Sequence, residues 1–287
     1  MVKKKNLGPI MVPVIGDDAP YIAFEQGQYE TAKRIAEQRA MQNDPQAHTL
    51  LGRIYSQGLG IAQDELAAVR WYRAGARLGD VEAQFALAVI LTSGSYLKRD
   101  YFEAALMFEK AARAGHVLAH YNIAQLYLSG RGKPENPYRA AQHLEYAAIN
   151  GIPQAQYDLA ALYQSGYGVN PDAYKAAFWM RKAAEKGMPS AQFEYAIYLL
   201  RGRGLNQDKP KIITYLTAAA NAGLSAAQNR LAYLYHNGIP GTEPDAFLAA
   251  KWYWLAKKSG FVDSNIDNLI NQYPKKVLDQ ARKAAKN

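Results

Sequence analysis

Residues 152–187 read IPQAQYDLAALYQSGYGVNPDAYKAAFWMRKAAEKG, and the rest of the chain is largely a set of variations on this stretch. Ala155, Leu159, Ala160, Leu162 and Tyr163 fall at helical spacing and form one apolar stripe. Ser165-Gly166 ends that helix, because glycine accepts the left-handed conformation that closes a helix C-terminus. The turn Gly166-Tyr167-Gly168-Val169-Asn170-Pro171 follows, and Asp172 or Asn170 is placed to cap the next helix with a side-chain oxygen. Ala176, Ala177, Trp179, Met180, Ala183 and Ala184 line one face of that second helix, which stops at Gly187. The stretch is a helix–turn–helix hairpin.

Three series of residues carry the same beat along the chain. Terminal glycines recur at Gly79, Gly115, Gly151, Gly187, Gly223 and Gly260, and alanines at Ala47, Ala83, Ala119, Ala155, Ala191 and Ala227. Turn glycines recur at Gly58, Gly94, Gly130, Gly166, Gly202 and Gly238. A tyrosine slot reads Tyr55, Leu91, Tyr127, Tyr163, Leu199, Tyr235, and a second-helix slot Trp71, Met107, His143, Trp179, Tyr215, Trp252. Residues 94–99 lack the second turn glycine, and 238–241 carry a Pro240-Gly241 variant. Self-similarity at a fixed period of this length marks a solenoid in which each repeat packs on its neighbours.

The motif A-Q-x-x-L-A-x-x-Y-x-x-G-x-G, followed by an aspartate, K-A, W-M or W-Y, and K-A-A-x-x-G, resembles the Sel-one-like repeat (SLR) family, a relative of the tetratricopeptide (TPR) repeat. The resemblance spans residues 44–260 and implies an all-α fold. That fold is a right-handed α–α superhelix of six hairpins at 44–79, 80–115, 116–151, 152–187, 188–223 and 224–260. Residues 17–43, with Phe24, Gly27-Gln28-Tyr29, Ala32 and Ile35, resemble a shorter TPR-like hairpin behind an irregular segment 1–16. Residues 261–287 read as two helices split by Pro274. Both ends are expected to cap the apolar flanks of the stack. The resemblance also implies a non-enzymatic protein–protein interaction scaffold. Bacterial relatives are commonly exported and serve envelope assembly, polysaccharide pathways, signalling or host contact.

Composition narrows the function classes. The 287 residues are 49% apolar, enough for a continuous core, and the net charge of +9 is spread thinly. Nucleic-acid binders concentrate basic charge in a stripe, so a nucleic acid is not the expected partner. The absence of cysteine excludes thiolate metal sites, disulfides and cysteine nucleophiles. No run of 18 apolar residues is present to span a membrane. Met1-Val2-Lys3-Lys4-Lys5 has the basic head of a signal peptide, but Gly8, Pro9, Pro13 and Gly16 break the apolar stretch behind it. The expected compartment is periplasmic or secreted if an export signal has been removed, and cytoplasmic otherwise.

The sequence offers no catalytic constellation, metal site or cofactor motif. His116 and His120 share a helix face, yet Val117 stands where a metalloprotease needs glutamate, and both histidines occupy repeat slots. The GxG turns lack the strand–helix setting and spacing of phosphate loops. Two surfaces remain as candidates for a monomeric chain. The resemblance places the first helices along a concave groove, with Phe85, Tyr121, Asn122, Gln125, Tyr157, Asp158, Phe193, Glu194, Arg230 and Tyr233 facing it. Two slots there vary between copies: Leu50, Ala86, Asn122, Asp158, Glu194, Arg230, and Arg53, Val89, Gln125, Ala161, Ile197, Tyr233. With about 10 Å between neighbouring helices, the ladder suits an extended peptide or a partner helix. The second surface is a basic edge of Lys98, Arg99, Arg131, Lys133, Arg201, Arg203 and Lys209 in the turns. It is suited instead to a carbohydrate or anionic polymer of the cell envelope.

Overall fold

The computed structural model describes residues 18–95, 97–204, 208–238 and 243–286. The expected irregular segment 1–16 and the Pro240-Gly241 variant lie outside the described residues, as does Tyr96 in the turn without a second glycine. The described residues form sixteen α-helices and no strand, and they fall into two compact units.

Unit 1, up to Glu135, holds α1 (Ala19–Glu25), α2 (Tyr29–Ala40), α3 (Pro45–Gln57), α4 (Glu65–Arg77), α5 (Val81–Ser93), α6 (Tyr101–Arg113) and α7 (Val117–Ser129). Each helix packs on the next. Unit 2, from Asn136, holds α8 (Pro137–Ile149), α9 (Pro153–Ser165), α10 (Ala173–Glu185), α11 (Pro189–Arg201), α12 (Lys209–Asn221), α13 (Ser225–Asn237), α14 (Ala246–Lys258), α15 (Ser264–Ile270) and α16 (Lys275–Ala284). Here too the helices pack in chain order, and α16 folds back on α14.

Local chemistry sets the helix ends. In the six repeats the second helix starts behind a side-chain cap: Asp64, Asp100, Asn136, Asp172, Asp208 and Asp245 each accept a backbone N–H of the first turn. Of the two capping candidates in the 152–187 repeat, Asp172 takes the position. The six turn glycines from Gly58 to Gly238 all have positive φ. The alanine series is fully buried at all six positions, which lets facing helices approach closely. Larger side chains fill the remaining space: Leu51, Ile54, Leu87, Leu91, Phe108 and Ile123 in unit 1, and Leu144, Leu159, Leu216, Leu231, Ile266 and Ile270 in unit 2.

Hairpins are also joined by a recurring polar bond. In five of the six repeats the residue after the slot alanine reaches back to a carbonyl in the last turn of the preceding helix, whereas His48 bonds the Asp44 carbonyl at the start of its own. Gln84 donates to Ala76 at 3.4 Å, Gln156 to Ala148 at 3.0 Å, Gln192 to Ala184 at 3.4 Å and Gln228 to Ala220 at 3.0 Å. His120 fills the same slot, its Nε2 lying 2.9 Å from the Ala112 oxygen. Each of these carbonyls already accepts the N–H of the terminal glycine behind it (Gly79, Gly115, Gly151, Gly187 or Gly223), and the side chain of the next repeat fills its second acceptor site. In unit 1 a further tie runs from the half-buried Glu109 of α6. Its carboxylate accepts the Tyr127 hydroxyl at 2.6 Å and the Lys133 ammonium at 3.0 Å. Burial alone would raise the Glu109 pKa, but these two partners outweigh it and hold the carboxyl below its usual range.

The second turn glycine sits where a hairpin meets the one before it. At Gly168, with φ +77°, a Cβ would overlap the backbone of Pro137 at the start of α8. Gly132 and Gly204 stand in the same relation to Tyr101 and Ala173. Gly151 also has positive φ, at +86°, but open space around it.

Gly151→Ala should therefore cost about 1 kcal/mol from backbone strain alone, and Gly168→Ala at least about 2 kcal/mol because packing strain adds to it. Chemical denaturation of both variants checks this; equal losses would show that no close approach limits position 168. A depressed carboxylate pKa contributes stability that is present above the unfolded value of 4.5 and lost as pH falls through the lower folded value. Glu109→Gln should thus cost about 1–2 kcal/mol at neutral pH, and the gap to the parent should close as pH falls below 4.5 and through the lower folded value. A gap that persists in acid would rule out the ion pair as its source.

Candidate functional site

The first helices of unit 1 lie side by side, with α3 in direct contact with α5, and they enclose a cleft of about 610 Å³. Asp18 and Tyr21 close its N-terminal side; Thr49, Leu50 and Arg53 come from α3; Glu82, Phe85 and Ala86 come from α5. Most of its polar wall is already tied down. The Tyr21 hydroxyl donates to the Gln46 carbonyl at 2.8 Å, and burial pushes its pKa well up. Thr49 donates to the Asp80 carboxylate at 2.7 Å, and Asp80 also caps α5 by accepting the Ala83 N–H at 2.7 Å. Phe85 stacks on the His116 ring at 4.2 Å, and His116 Nε2 lies 3.3 Å from Glu82. Arg53 lies over the Phe24 ring at 4.7 Å. The result is a pre-shaped wall of aromatic area with a few charged groups at its rim, the composition of a recognition surface.

The structure brings four of the expected groove positions together here: Leu50, Arg53, Phe85 and Ala86. Tyr121, Asn122 and Gln125 are half-buried on α7, and Asn122 Nδ2 donates back to the Leu118 carbonyl at 2.8 Å. In unit 2, Tyr157 and Asp158 of α9 and Phe193 and Glu194 of α11 are also half-buried. Burial raises the Tyr157 pKa, and the charges of Glu194 and Asp158 raise it further, so successive rungs feel one another. Arg230 is half-buried on α13. Tyr233 is committed elsewhere, its hydroxyl donating at 3.1 Å to both oxygens of Asp263, the cap of α15. Two variable positions are not exposed, contrary to the expectation that variation marks the free surface. Leu50 and Ile197 are buried, whereas Val89, in the same slot as Ile197, stays 40% exposed.

On the turn edge, Lys98, Arg99, Arg131, Lys133 and Arg203 lie between first and second helices, whereas Arg201 is the last residue of α11 and Lys209 the first of α12. Several of these charges are engaged. Arg99 Nε donates to the Ser93 carbonyl at 3.0 Å, Arg131 lies over the Tyr101 ring at 5.5 Å, and Lys133 pairs with Glu109. Arg203 lines a cleft of about 570 Å³ beside Tyr198 and Asp172.

Sequence reading missed two features of this edge. A cleft of about 740 Å³ holds Tyr55, Asp64 and Lys33 in unit 1, and one of about 710 Å³ holds Tyr163, Asp172 and Lys175 in unit 2. In each, the lysine lies over the tyrosine ring, at 5.8 and 5.0 Å. Beside them, the second residue of the second helix carries an exposed apolar side chain: Leu66, Phe102 (71% exposed), Tyr138 (62%) and Tyr174 (76%). The signal was present in the sequence, two residues past each capping Asp or Asn. A search for buried stripes passes over it.

His116 and His120 have separate structural duties: the first caps α7 by accepting the Ala119 N–H at 3.1 Å, and the second makes the backward bond to Ala112. Among the described residues no group of three or more His, Cys, Asp or Glu side chains could hold a metal ion. No described helix is long and apolar enough to cross a membrane.

Comparison with known proteins follows the same outline. The Sel1 repeat model matches six times, at residues 45–80, 81–116, 117–152, 153–188, 189–224 and 225–261. A protective antigen of uropathogenic Escherichia coli strains, displaying an SLR fold, superposes with a TM-score of 0.82 at 27% identity, over 93% of this chain and 61% of that one. The present chain thus spans less than two thirds of that protein's length. A Sel1 repeat protein from Oxalobacter formigenes superposes with a TM-score of 0.76 at 27% identity, over 85% of this chain and 99% of the other. A search of curated proteins found no match. With six matched repeats laid end to end over an all-helical fold, the chain belongs to the Sel1 repeat family.

Proposed function

We propose that the chain is a non-enzymatic scaffold that takes an extended peptide or a helix of a partner protein along the first-helix face. The observation that carries this reading is the cleft on α3 and α5, where Leu50, Arg53, Phe85 and Ala86 converge on tied polar walls. Such a wall costs little to organise on binding, and pre-organisation is what turns contact area into affinity. The family supports a protein partner in general terms, and likeness to a protective antigen favours an exported, periplasmic or secreted, setting. A second reading, an accessory protein that holds a carbohydrate or anionic polymer, draws on the recurring turn clefts and the exposed rings beside them.

A partner captured by cross-linking from the first-helix face provides the test. Asn122→Ala combined with Asp158→Ala and Glu194→Ala should weaken it by about tenfold or more, while each surface change costs under about 0.5 kcal/mol of stability. Arg131→Glu with Arg203→Glu should leave the affinity unchanged. The reverse outcome, with strong salt dependence, would move recognition to the turn edge. Unchanged binding in both sets would exclude both surfaces.

A further inference from the structure

Unit 2 ends in a basic helix, α16. Within α16 only Ala281 is buried, and Ala285 directly behind it is buried as well. The helix therefore rests on small residues and leaves Lys275, Lys276, Arg282 and Lys283 exposed. Between α16 and the end of α14 lies a recess of about 380 Å³, lined by Trp254, Lys257, Lys258, Arg282, Ala285 and Lys286. Lys257 and Arg282 stand 5.6 and 5.1 Å from the Trp254 ring centre. Lys257 is paired with Asp267 at 3.5 Å. Among the described residues no carboxylate lies in ion-pair reach of Lys258, Arg282 or Lys286, and none lines the recess.

We propose that this recess docks an acidic segment of a partner protein. Its carboxylates would meet Lys258, Arg282 and Lys286, and an apolar side chain between them would rest against Trp254. Charge complementarity selects an anionic occupant, and the shape selects among anions. A bilayer surface is flat, and a helix that lies on it inserts large apolar side chains; none of the exposed large hydrophobic residues falls in α15 or α16. A single-stranded nucleic acid needs a row of aromatic faces for successive bases to stack on, and among the described residues Trp254 is the one aromatic side chain lining this recess. A recess of this size suits one projecting side chain flanked by charges. The surface is separate from the first-helix face, so either can fail without the other.

The probe is the peptide Ac-Asp-Glu-Glu-Phe-Asp-Glu-Leu-Glu-NH2, titrated into the full chain with tryptophan emission as readout. The expected result is saturable binding that falls at least about tenfold between about 50 and 300 mM salt. Lys258→Glu with Lys286→Glu, both at exposed positions, should lower the affinity by about tenfold or more. Arg282→Glu should do the same, and Arg201→Glu with Arg203→Glu in the same unit should leave it within about twofold. Trp254→Phe should bind but lose the emission change, which separates this ring from the other three tryptophans. The proposal is overturned if the Asn/Gln version of the peptide binds equally, or if the two sets of charge reversals act alike. Tighter binding to a single-stranded oligonucleotide or to phosphatidylglycerol vesicles than to the peptide would also overturn it.

Discussion

How closely one helical hairpin can approach the next governs this molecule. Alanines with no exposed surface recur where the helices face each other, and the second turn glycine lies against the backbone that opens the preceding second helix. Small residues at those two places allow the backbones to come near enough for larger side chains such as Leu159, Leu216 and Phe108 to interdigitate around them. Protein interiors tolerate few voids, so a side chain added at the glycine must displace backbone rather than fill space. Repetition follows from this constraint, since each interface has to be solved with the same small residues as the one before.

Close approach also creates a polar problem, because the carbonyls at a helix end are drawn away from water. The glutamine slot answers it with a donor from the following repeat, and His120 substitutes by offering a ring nitrogen at nearly the same reach. Burial pushes the His120 pKa down, in keeping with a structural histidine held by a carbonyl. Glu109 shows the ionic counterpart, with a tyrosine and a lysine from the next segment closing on one carboxylate. Within each unit, the interfaces thus combine apolar packing with short-range, directional bonds.

Function is left to positions that packing does not claim. On the first-helix face packing claims some of the variable slots and not others: Leu50 and Ile197 are buried, while Val89 is exposed. On the turn edge Arg99 and Arg131 are held by a carbonyl and a ring, and Lys133 is offset by the Glu109 carboxylate. At the C-terminal end the opposite holds. The seat of α16 on α14 is made of alanines, so its lysines and arginine keep their charge exposed.

The sequence by itself determined the helical hairpins, their period, their caps and their glycine stops, because those depend on spacing and on local backbone preferences. Gly166 as a stop, and a cap at Asn170 or Asp172, are readable from a dozen neighbouring residues. It also determined that His116 and His120 belong to repeat slots. What it could not determine is which slot residues remain available, since that depends on neighbours two dozen or more residues away. Tyr233 looks like a free groove residue until Asp263 is placed beside it, thirty residues later. Lys133 looks like a free edge charge until α6 presents Glu109. The clefts at Tyr55 and Tyr163, and the recess at Trp254, exist only once separate helices are set side by side. Concavity is a property of packed surfaces, and tertiary structure alone decides it.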